Sequence, residues 1–506
     1  MHLSMLLQMA AEGMGDRTAV GSGDGGCTMS ALAARSARAA AWFAGRPGDK
    51  VGLVDLNSET VAVALFGAAL AGKPYVPINY RLPDDQLRAI VARTSPSTLV
   101  VGASVAERIG EVEGVELVGR EDLRAVVLDE AAPVIGPESW ERDGDGIAVL
   151  LYTSGTTGAP KAAVLRHRHL TSFVLSTVEF AGAGEDEAAL VSVPPYHVAG
   201  VSSVLSNTFL GRRVVHLEQF DPVDWVRLAR EDGVTHAMVV PTMLRRILEV
   251  VEGDGQGLPS LRALSYGGGP MPVGVVERAL RLLPGVDFVN AYGLTETSST
   301  IALLGPADHR AAFAADDAVA RRRLGSVGRP LPGVEVSIRD PHGGVLAAGE
   351  PGEVWVRGEQ VSGEYLGRDD AGGGWFRTRD GGHLDEGGYL FVHGRLDDVI
   401  VRGGENLSPG EIEEVILELP GVAEVAVVGV PDPEWGEQVV AVVVARDGAE
   451  VAEQAVQDHV RARLRSTKTP ERVEVRASLP YNETGKLLRR VLRAELTQAA
   501  PVVPVT

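Results

Sequence analysis

This 506-residue chain has one cysteine and no long run of either apolar or basic residues. Cys27 alone can form neither an internal disulfide nor a cysteine zinc site, and a lone thiol fits a reducing cytosol. The longest apolar run, 61–72, is too short to cross a bilayer and is expected to be a buried helix. With a formal net charge of -20 and no Lys/Arg run of the length needed, the chain would repel a phosphate backbone, so no nucleic-acid partner is expected. The first ten residues lack a basic leader, and Glu12 and Asp16 follow, so the start reads as an amphipathic helix rather than a signal peptide. A cytoplasmic protein is expected. Lysine is also scarce: of 48 basic residues only Lys50, Lys73, Lys161, Lys468 and Lys486 are lysine. Where arginine is the default cation, a lysine inside a Gly/Thr loop is not easily dismissed as solubilising surface.

What is present is a globular composition, 45% apolar and 23% charged, over a length that calls for two or more domains. Between residues 50 and 300, short apolar runs at 51–56, 98–101, 189–193, 213–217, 236–240, 261–266 and 286–291 alternate with helical patterns such as 221–231 and 272–283. That alternation predicts a parallel, doubly wound α/β core whose ligands sit at the carboxyl ends of strands. From about Arg323, short alternating segments (334–338, 353–356, 389–392) between Gly/Pro/Asp turns predict antiparallel structure, a small β-barrel. Ser408-x-x-Glu411 reads as a capping box with Pro409 at the first helical position, starting a helix to about Leu419. Strands at 425–430, 439–445 and 472–475 and a helix at 451–464 complete a small α+β unit, and 501–506 should fray.

Chemistry concentrates where the apolar segment 147–151 empties into Tyr152-Thr-Ser-Gly-Thr-Thr-Gly-Ala-Pro-Lys161. Thr153, Ser154, Thr156 and Thr157 supply hydroxyl donors, Gly155 and Gly158 let backbone N–H groups turn toward an anion, and Lys161 adds a point charge. The spacing is not that of Gly-x4-Gly-Lys-Ser/Thr, so this is a different phosphate grip. Three further strings follow predicted strands: Pro194 to Val201 with His197; Gly267, Gly268, Gly269 and Pro270, where missing side chains expose backbone to a flat ligand; and Asn290-Ala291-Tyr292-Gly293-Leu294-Thr295-Glu296, which combines a stackable ring, a hydroxyl and a carboxylate. Asp380 can accept from both hydroxyls of a ribose, and Arg395 can bridge to it or to phosphate. Each string alone also suits an ordinary turn; the ordered set is far more specific.

In that order the motifs resemble the adenylate-forming superfamily of acyl- and aryl-CoA synthetases, firefly luciferase and peptide-synthetase adenylation domains, over nearly the whole chain. The resemblance implies a large AMP-binding domain, 1–395, with a β-rich subdomain at 321–395, hinged to a mobile C-terminal domain, 396–506. It implies ATP and Mg2+ as reactants with CoA as acceptor. Thr153 to Lys161 would hold the β- and γ-phosphates. Gly267 to Pro270 and Tyr292, within Asn290 to Gly293, would flank adenine. Thr295 would meet the α-phosphate, Glu296 the metal, and Asp380 the ribose with Arg395 nearby. Asp397 would be the hinge, Lys486 the catalytic lysine that serves attack at the α-phosphorus, and Gly403 and Gly404 the walls of a channel for the pantetheine thiol. The chain departs from the family at Ala162-Ala163, at Thr378-Arg379-Asp380, where Gly usually precedes the aspartate, and at Pro480-Tyr481-Asn482.

Amino-acid-activating relatives place an aspartate near the start of the 194–201 region, where this chain has Tyr196-His197. An acid without an α-amino group is therefore expected, in a pocket of His197, Val198, Ala199, Ser202, Gly269, Leu294 and Ser299. Three readings follow: a CoA ligase acting on a small-molecule acid; adenylation with a carrier-protein thiol or an amine as acceptor, or of another oxyacid such as nitrite; and a nucleotide-binding protein without turnover. The molecule would be a monomer or a homodimer.

Overall fold

A computed structural model describes residues 1–21, 26–135, 143–153, 161–367, 374–446, 448–481 and 487–498. The chain forms two compact units: the first comprises Met1–Gly267, Glu277–Val336 and Val356–Arg377, the second Gly268–Val276, Ser337–Trp355 and Thr378–Thr506.

The first unit is built on two sheets. One has six strands in the order Val115–Gly119, Ser97–Val101, Lys50–Val54, Tyr75–Pro77, Ile147–Thr153 and Lys161–Arg166. All neighbours are parallel except the last pair. The other has nine strands in the order Arg329–Pro330, Ser299–Leu304, Asp287–Leu294, Ala263–Gly267, His236–Val239, Ala188–Val191, Arg213–His216, Thr18–Val20 and Cys27–Thr28. Its centre is parallel and its two ends are antiparallel. Fully buried strands such as Ser97–Val101 and Ala188–Val191 account for the unbroken apolar runs, since a parallel sheet is covered on both faces.

The apolar run at 61–72 is the helix Glu59–Leu70, buried at every position from Val61 to Leu70, with no polar face to show water. Burial pushes the Cys27 thiol up to about 12, with Glu59 adding to the effect, which leaves it an inert packing group. The helix Pro222–Glu231 starts as its sequence predicts: Asp221 accepts from the N–H groups of Val223 and Asp224, and Pro222 occupies the first turn.

The β-rich stretch is a four-stranded sheet in the order Val334–Arg339, Gly352–Gly358, Phe376–Leu384, Leu390–Arg395. Toward the C-terminus, strands Val422–Asp432, Gly436–Ala445 and Arg472–Arg476 form a separate sheet. Its residues alternate between two cores. Val425, Val427, Val439, Ala441 and Val443 pack with Ile412, Ile416, Val456 and Val460, while Ala426, Val428, Val430, Val440 and Val442 pack with Leu492 and Leu496. Period-two alternation with both faces covered makes this sheet read as continuous valine.

Two expectations change here. Ser408 is the N-cap residue and Pro409 opens the helix Pro409–Leu417, but the capping box does not form. The Ser408 hydroxyl instead donates to the His393 carbonyl at 3.0 Å, and Glu411 pairs with Lys468. Long-range partners have outbid the local ones. The string from Asn290 also does not follow its strand but completes it: Asn290 to Leu294 end the strand, and only Thr295–Thr297 turns, as a short 3-10 helix.

Candidate active site

The phosphate-grip string spans a hairpin. Its entry strand Ile147–Thr153 and exit strand Lys161–Arg166 are antiparallel, with Thr153 paired to Lys161 across the ladder. Ser154, Gly155, Thr156, Thr157 and Gly158 lie outside the described residues, while Lys161 stands at the start of the exit strand.

A segment that sequence reasoning missed holds this hairpin to the Thr295–Thr297 turn. Along Gln360 to Leu366, the Ser362 and Gly363 N–H groups both donate to the Glu296 carbonyl, at 2.9 and 3.1 Å. The Gln360 amide donates to the carbonyls of Thr297 and Thr300 at 3.1 and 2.7 Å. On the hairpin side, Val164 N–H donates to the Glu364 carbonyl and Leu366 N–H to the Ala162 carbonyl, both at 2.9 Å. Arg166 reaches both oxygens of Glu364, at 2.9 and 2.7 Å. In the middle, the Tyr365 hydroxyl donates to Glu296 Oε1 at 2.5 Å, and Lys161 Nζ lies 5.5 Å from the Tyr365 ring centroid. Lys161 and Glu296, 135 residues apart, thus share one tyrosine. No periodicity marks Tyr365 in the sequence; its place between two strands reads as a connecting turn.

Glu296 itself is only 8% exposed. Thr297, fully buried, closes the turn by accepting from Leu294 N–H at 2.9 Å. Asn290 donates to the Ser326 carbonyl, and Ala291, Tyr292 and Gly293 run along the strand paired with Ser299–Leu304. Gly267 has an internal reason to be glycine, because a Cβ there would sit 2.2 Å from the Ala291 carbonyl oxygen on the neighbouring strand.

His197 is the N-cap residue of the helix Val198–Leu210, and its ring lies 4.7 Å from that of Tyr196. Its Nε2 is buried without a hydrogen-bond partner among the described residues. Burial holds its pKa down at about 4, so the ring is neutral near pH 7. Of the other pocket residues, Val198, Ala199 and Ser202 share that helix. The Ser299 hydroxyl donates to Ser202 Oγ at 3.3 Å, beside the buried Leu294. Asn57, also missed in the sequence, braces this end of the sheets: its buried amide donates to the carbonyls of Val193 and Leu217, at 3.0 and 3.3 Å.

The second unit carries Gly268, Gly269 and Pro270, all exposed, together with the ribose-type carboxylate. Asp380 is 6% exposed and paired across the ladder with Arg395, whose Nε lies 3.1 Å from Oδ1. Arg395 also donates to the Thr378 carbonyl at 2.8 Å, and Asp380 N–H donates to the Thr378 hydroxyl at 3.0 Å. Arg379 adopts φ 60°, the left-handed conformation that a glycine would take freely. Asp397 is exposed in the one-turn helix Leu396–Asp398. Gly403 and Gly404 both have positive φ, 56° and 84°, and link the strands Ile400–Arg402 and Glu405–Leu407 as a two-residue hairpin turn. Lys486 lies outside the described residues. Three residues on, Arg489 makes two bonds of 2.5 Å to Glu413, anchoring the helix Arg489–Gln498.

Residues 7–366 match the family of AMP-binding enzymes, and residues 411–486 match that family's C-terminal domain. The chain belongs to the AMP-binding enzymes. This AMP-binding enzyme is 33% identical over 490 residues to a long-chain-fatty-acid–CoA ligase of Mycobacterium tuberculosis, an alignment covering 94% of this chain and 93% of the relative. It is 34% identical over 485 residues to a feruloyl-CoA synthase of an Amycolatopsis species, covering 94% and 95%. Among solved structures, o-succinylbenzoate CoA synthetase of Bacillus subtilis, in complex with its acyl-adenylate intermediate, superposes with a TM-score of 0.83 at 30% identity, covering 96% of this chain and 97% of that one. The AMP-binding enzyme therefore has the architecture expected of the adenylate-forming superfamily, a large α/β part followed by a smaller C-terminal part. Among the described residues, no helix is long and apolar enough to cross a membrane.

Proposed function

We propose that the enzyme joins a carboxylic acid to coenzyme A in two steps that share one site. In the first, a carboxylate oxygen attacks the α-phosphorus of ATP, the bond to the β-phosphate oxygen breaks, and pyrophosphate leaves. In the second, the CoA thiol attacks the acyl carbon, the thiol proton is lost, AMP departs, and a thioester remains. The observation that carries the reading is the meeting of Lys161 and Glu296 around Tyr365: the cation of the phosphate hairpin and the carboxylate of the Thr-Glu turn stand where one nucleotide triphosphate could use both.

Each residue then has a task. Thr153, the hydroxyls of 154–157 and Lys161 hold the leaving pyrophosphate, whose charge is the main obstacle to departure. Thr295 meets the α-phosphate. Asp380, oriented by Arg395, accepts from the ribose hydroxyls. Gly267 to Pro270 and Asn290 to Gly293 border the adenine. Lys486, carried by the domain 396–506 that turns about Asp397, serves the attack as a compact cation, and Gly403 and Gly404 later line the approach of the thiol.

Magnesium fits this donor set. Among the described residues no group of three His, Cys, Asp or Glu is arranged to hold a metal. Glu296 offers a single buried carboxylate, and Mg2+ takes one or two carboxylates when substrate phosphates and water complete its shell. When bound, it would offset charge on the phosphate oxygens.

An acid without an ammonium group is favoured, because residues 194–201, where amino-acid-activating relatives place an aspartate, carry no carboxylate and His197 is neutral near pH 7. Val198, Ala199, Ser202, Leu294 and Ser299 would offer a mainly apolar lining suited to a fatty or aryl acid. The test is mass spectrometry of products from ATP, Mg2+, CoA and a panel of such acids, with AMP, pyrophosphate and one acyl-CoA expected. Silence with every acid would count against the reading. Pyrophosphate release that ignores CoA would move the second step to a carrier-protein thiol or an amine.

A further inference from the structure

We propose that Tyr365 is a positioning residue for the metal carboxylate: its phenol holds Glu296 Oε1, so that only Oε2 is presented to the magnesium of Mg·ATP. The inference rests on the reading of Glu296 as that carboxylate.

A carboxylate has two equivalent oxygens and rotates about its last torsion, so left alone it can chelate a metal through both or swing away. Magnesium demands near-ideal octahedral geometry at about 2.0–2.1 Å, which favours one fixed oxygen. Glu296 is fixed twice by the same short segment. Its carbonyl receives the N–H groups of Ser362 and Gly363, and its Oε1 receives the Tyr365 hydroxyl at 2.5 Å. With the main chain and one oxygen held, the remaining freedom is small and Oε2 has a set direction.

The chemistry of the holder matters as much as its place. A guanidinium here would cancel the negative charge that attracts the metal, whereas a phenol is a neutral O–H donor that orients a carboxylate and leaves its charge in place. The ring has a second neighbour, Lys161 Nζ, 5.5 Å from its centroid. The backbone around Tyr365 is bonded to Ala162 and Val164 on the exit strand that Lys161 begins. One side chain therefore sets the spacing between the cation that faces the leaving group and the carboxylate that faces its metal.

The test compares full-length wild type with Tyr365→Phe and Glu296→Gln, each confirmed folded by circular dichroism at the working temperature. Two affinities are measured: a non-hydrolysable ATP analogue without divalent metal, by calorimetry, and manganese(II) in the presence of that analogue, by electron paramagnetic resonance. Tyr365→Phe keeps the ring and its packing and loses only the hydroxyl. The expected result is unchanged metal-free nucleotide binding with manganese affinity reduced about 10-fold, as for loss of a partner that orients a metal ligand. A structural role alone would weaken both affinities or neither, and either result overturns the proposal. If Glu296→Gln weakens manganese binding and Tyr365→Phe does not, the proposal fails while the metal reading of Glu296 stands. If neither variant weakens it, both fail.

Discussion

Two carboxylates, one in each unit, are buried to the same degree and held in opposite ways. Glu296, 8% exposed, accepts a hydrogen bond from an uncharged phenol, while Asp380, 6% exposed, is ion-paired with the Arg395 guanidinium. Burying an ion away from water is expensive unless it is paired, so Asp380 is the ordinary solution. Its charge is met by the Arg395 cation, and a carboxylate is an acceptor for neutral hydroxyls, which is what a sugar requires. Among the described residues the Glu296 carboxylate has a phenol rather than a cation as its hydrogen-bond donor, which suits a site completed by a cation from outside. The nature of the neighbour therefore says more about a buried acid's task than its burial does.

The contrast is open to direct attack. Its largest expected consequence is in Glu296→Gln, which keeps the shape and the phenol contact and removes the charge. Pyrophosphate release should fall about 10²–10³-fold, the scale for loss of one preorganised electrostatic group, and a fall of only a few-fold would break the distinction. Asp380→Asn should do less. Because Arg395 already balances the charge, the substitution should raise KM for ATP by about 10-fold, the scale of one charge-assisted hydrogen bond, with kcat little changed. A kcat collapse there would show that Asp380 acts on the reacting phosphate. The smallest effect sharpens the frame around Asp380. Arg379→Gly relieves a left-handed arginine at the cost of a more flexible unfolded chain, so stability should rise by about 0.5–1 kcal/mol, read as a higher midpoint in urea unfolding. A lower midpoint would mean that the arginine side chain stabilises this turn.

Much of this was legible in the sequence, unevenly. Strands such as Ala188–Val191 announce themselves because a parallel strand buried on both faces is apolar throughout, and Asp221-Pro222 starts a helix by local bonds alone. Candidate residues grouped in one string, from Asn290 to Glu296 or at Gly403-Gly404, were readable as motifs. What escaped was anything defined by distant partners. Ser408 and Glu411 carry a capping signature, yet His393 and Lys468 claim them. Tyr365 and Asn57 have no local pattern, since each matters through groups between 69 and 204 residues away. The left-handed Arg379 was visible only as a departure, an arginine where a glycine is usual.

The pairing of Thr153 with Lys161 fastens both ends of residues 154–160 to one rung of a ladder. A connection whose anchors are fixed can vary in length without disturbing them. Lengthening it from seven residues to eight adds only about 0.1–0.2 kcal/mol of closure entropy, far less than the sheet's own margin. The number of residues between the two anchors is thereby uncoupled from the stability of the strands that carry them, so a library of lengths between Thr153 and Lys161 could be screened for altered leaving-group tolerance on an unchanged scaffold.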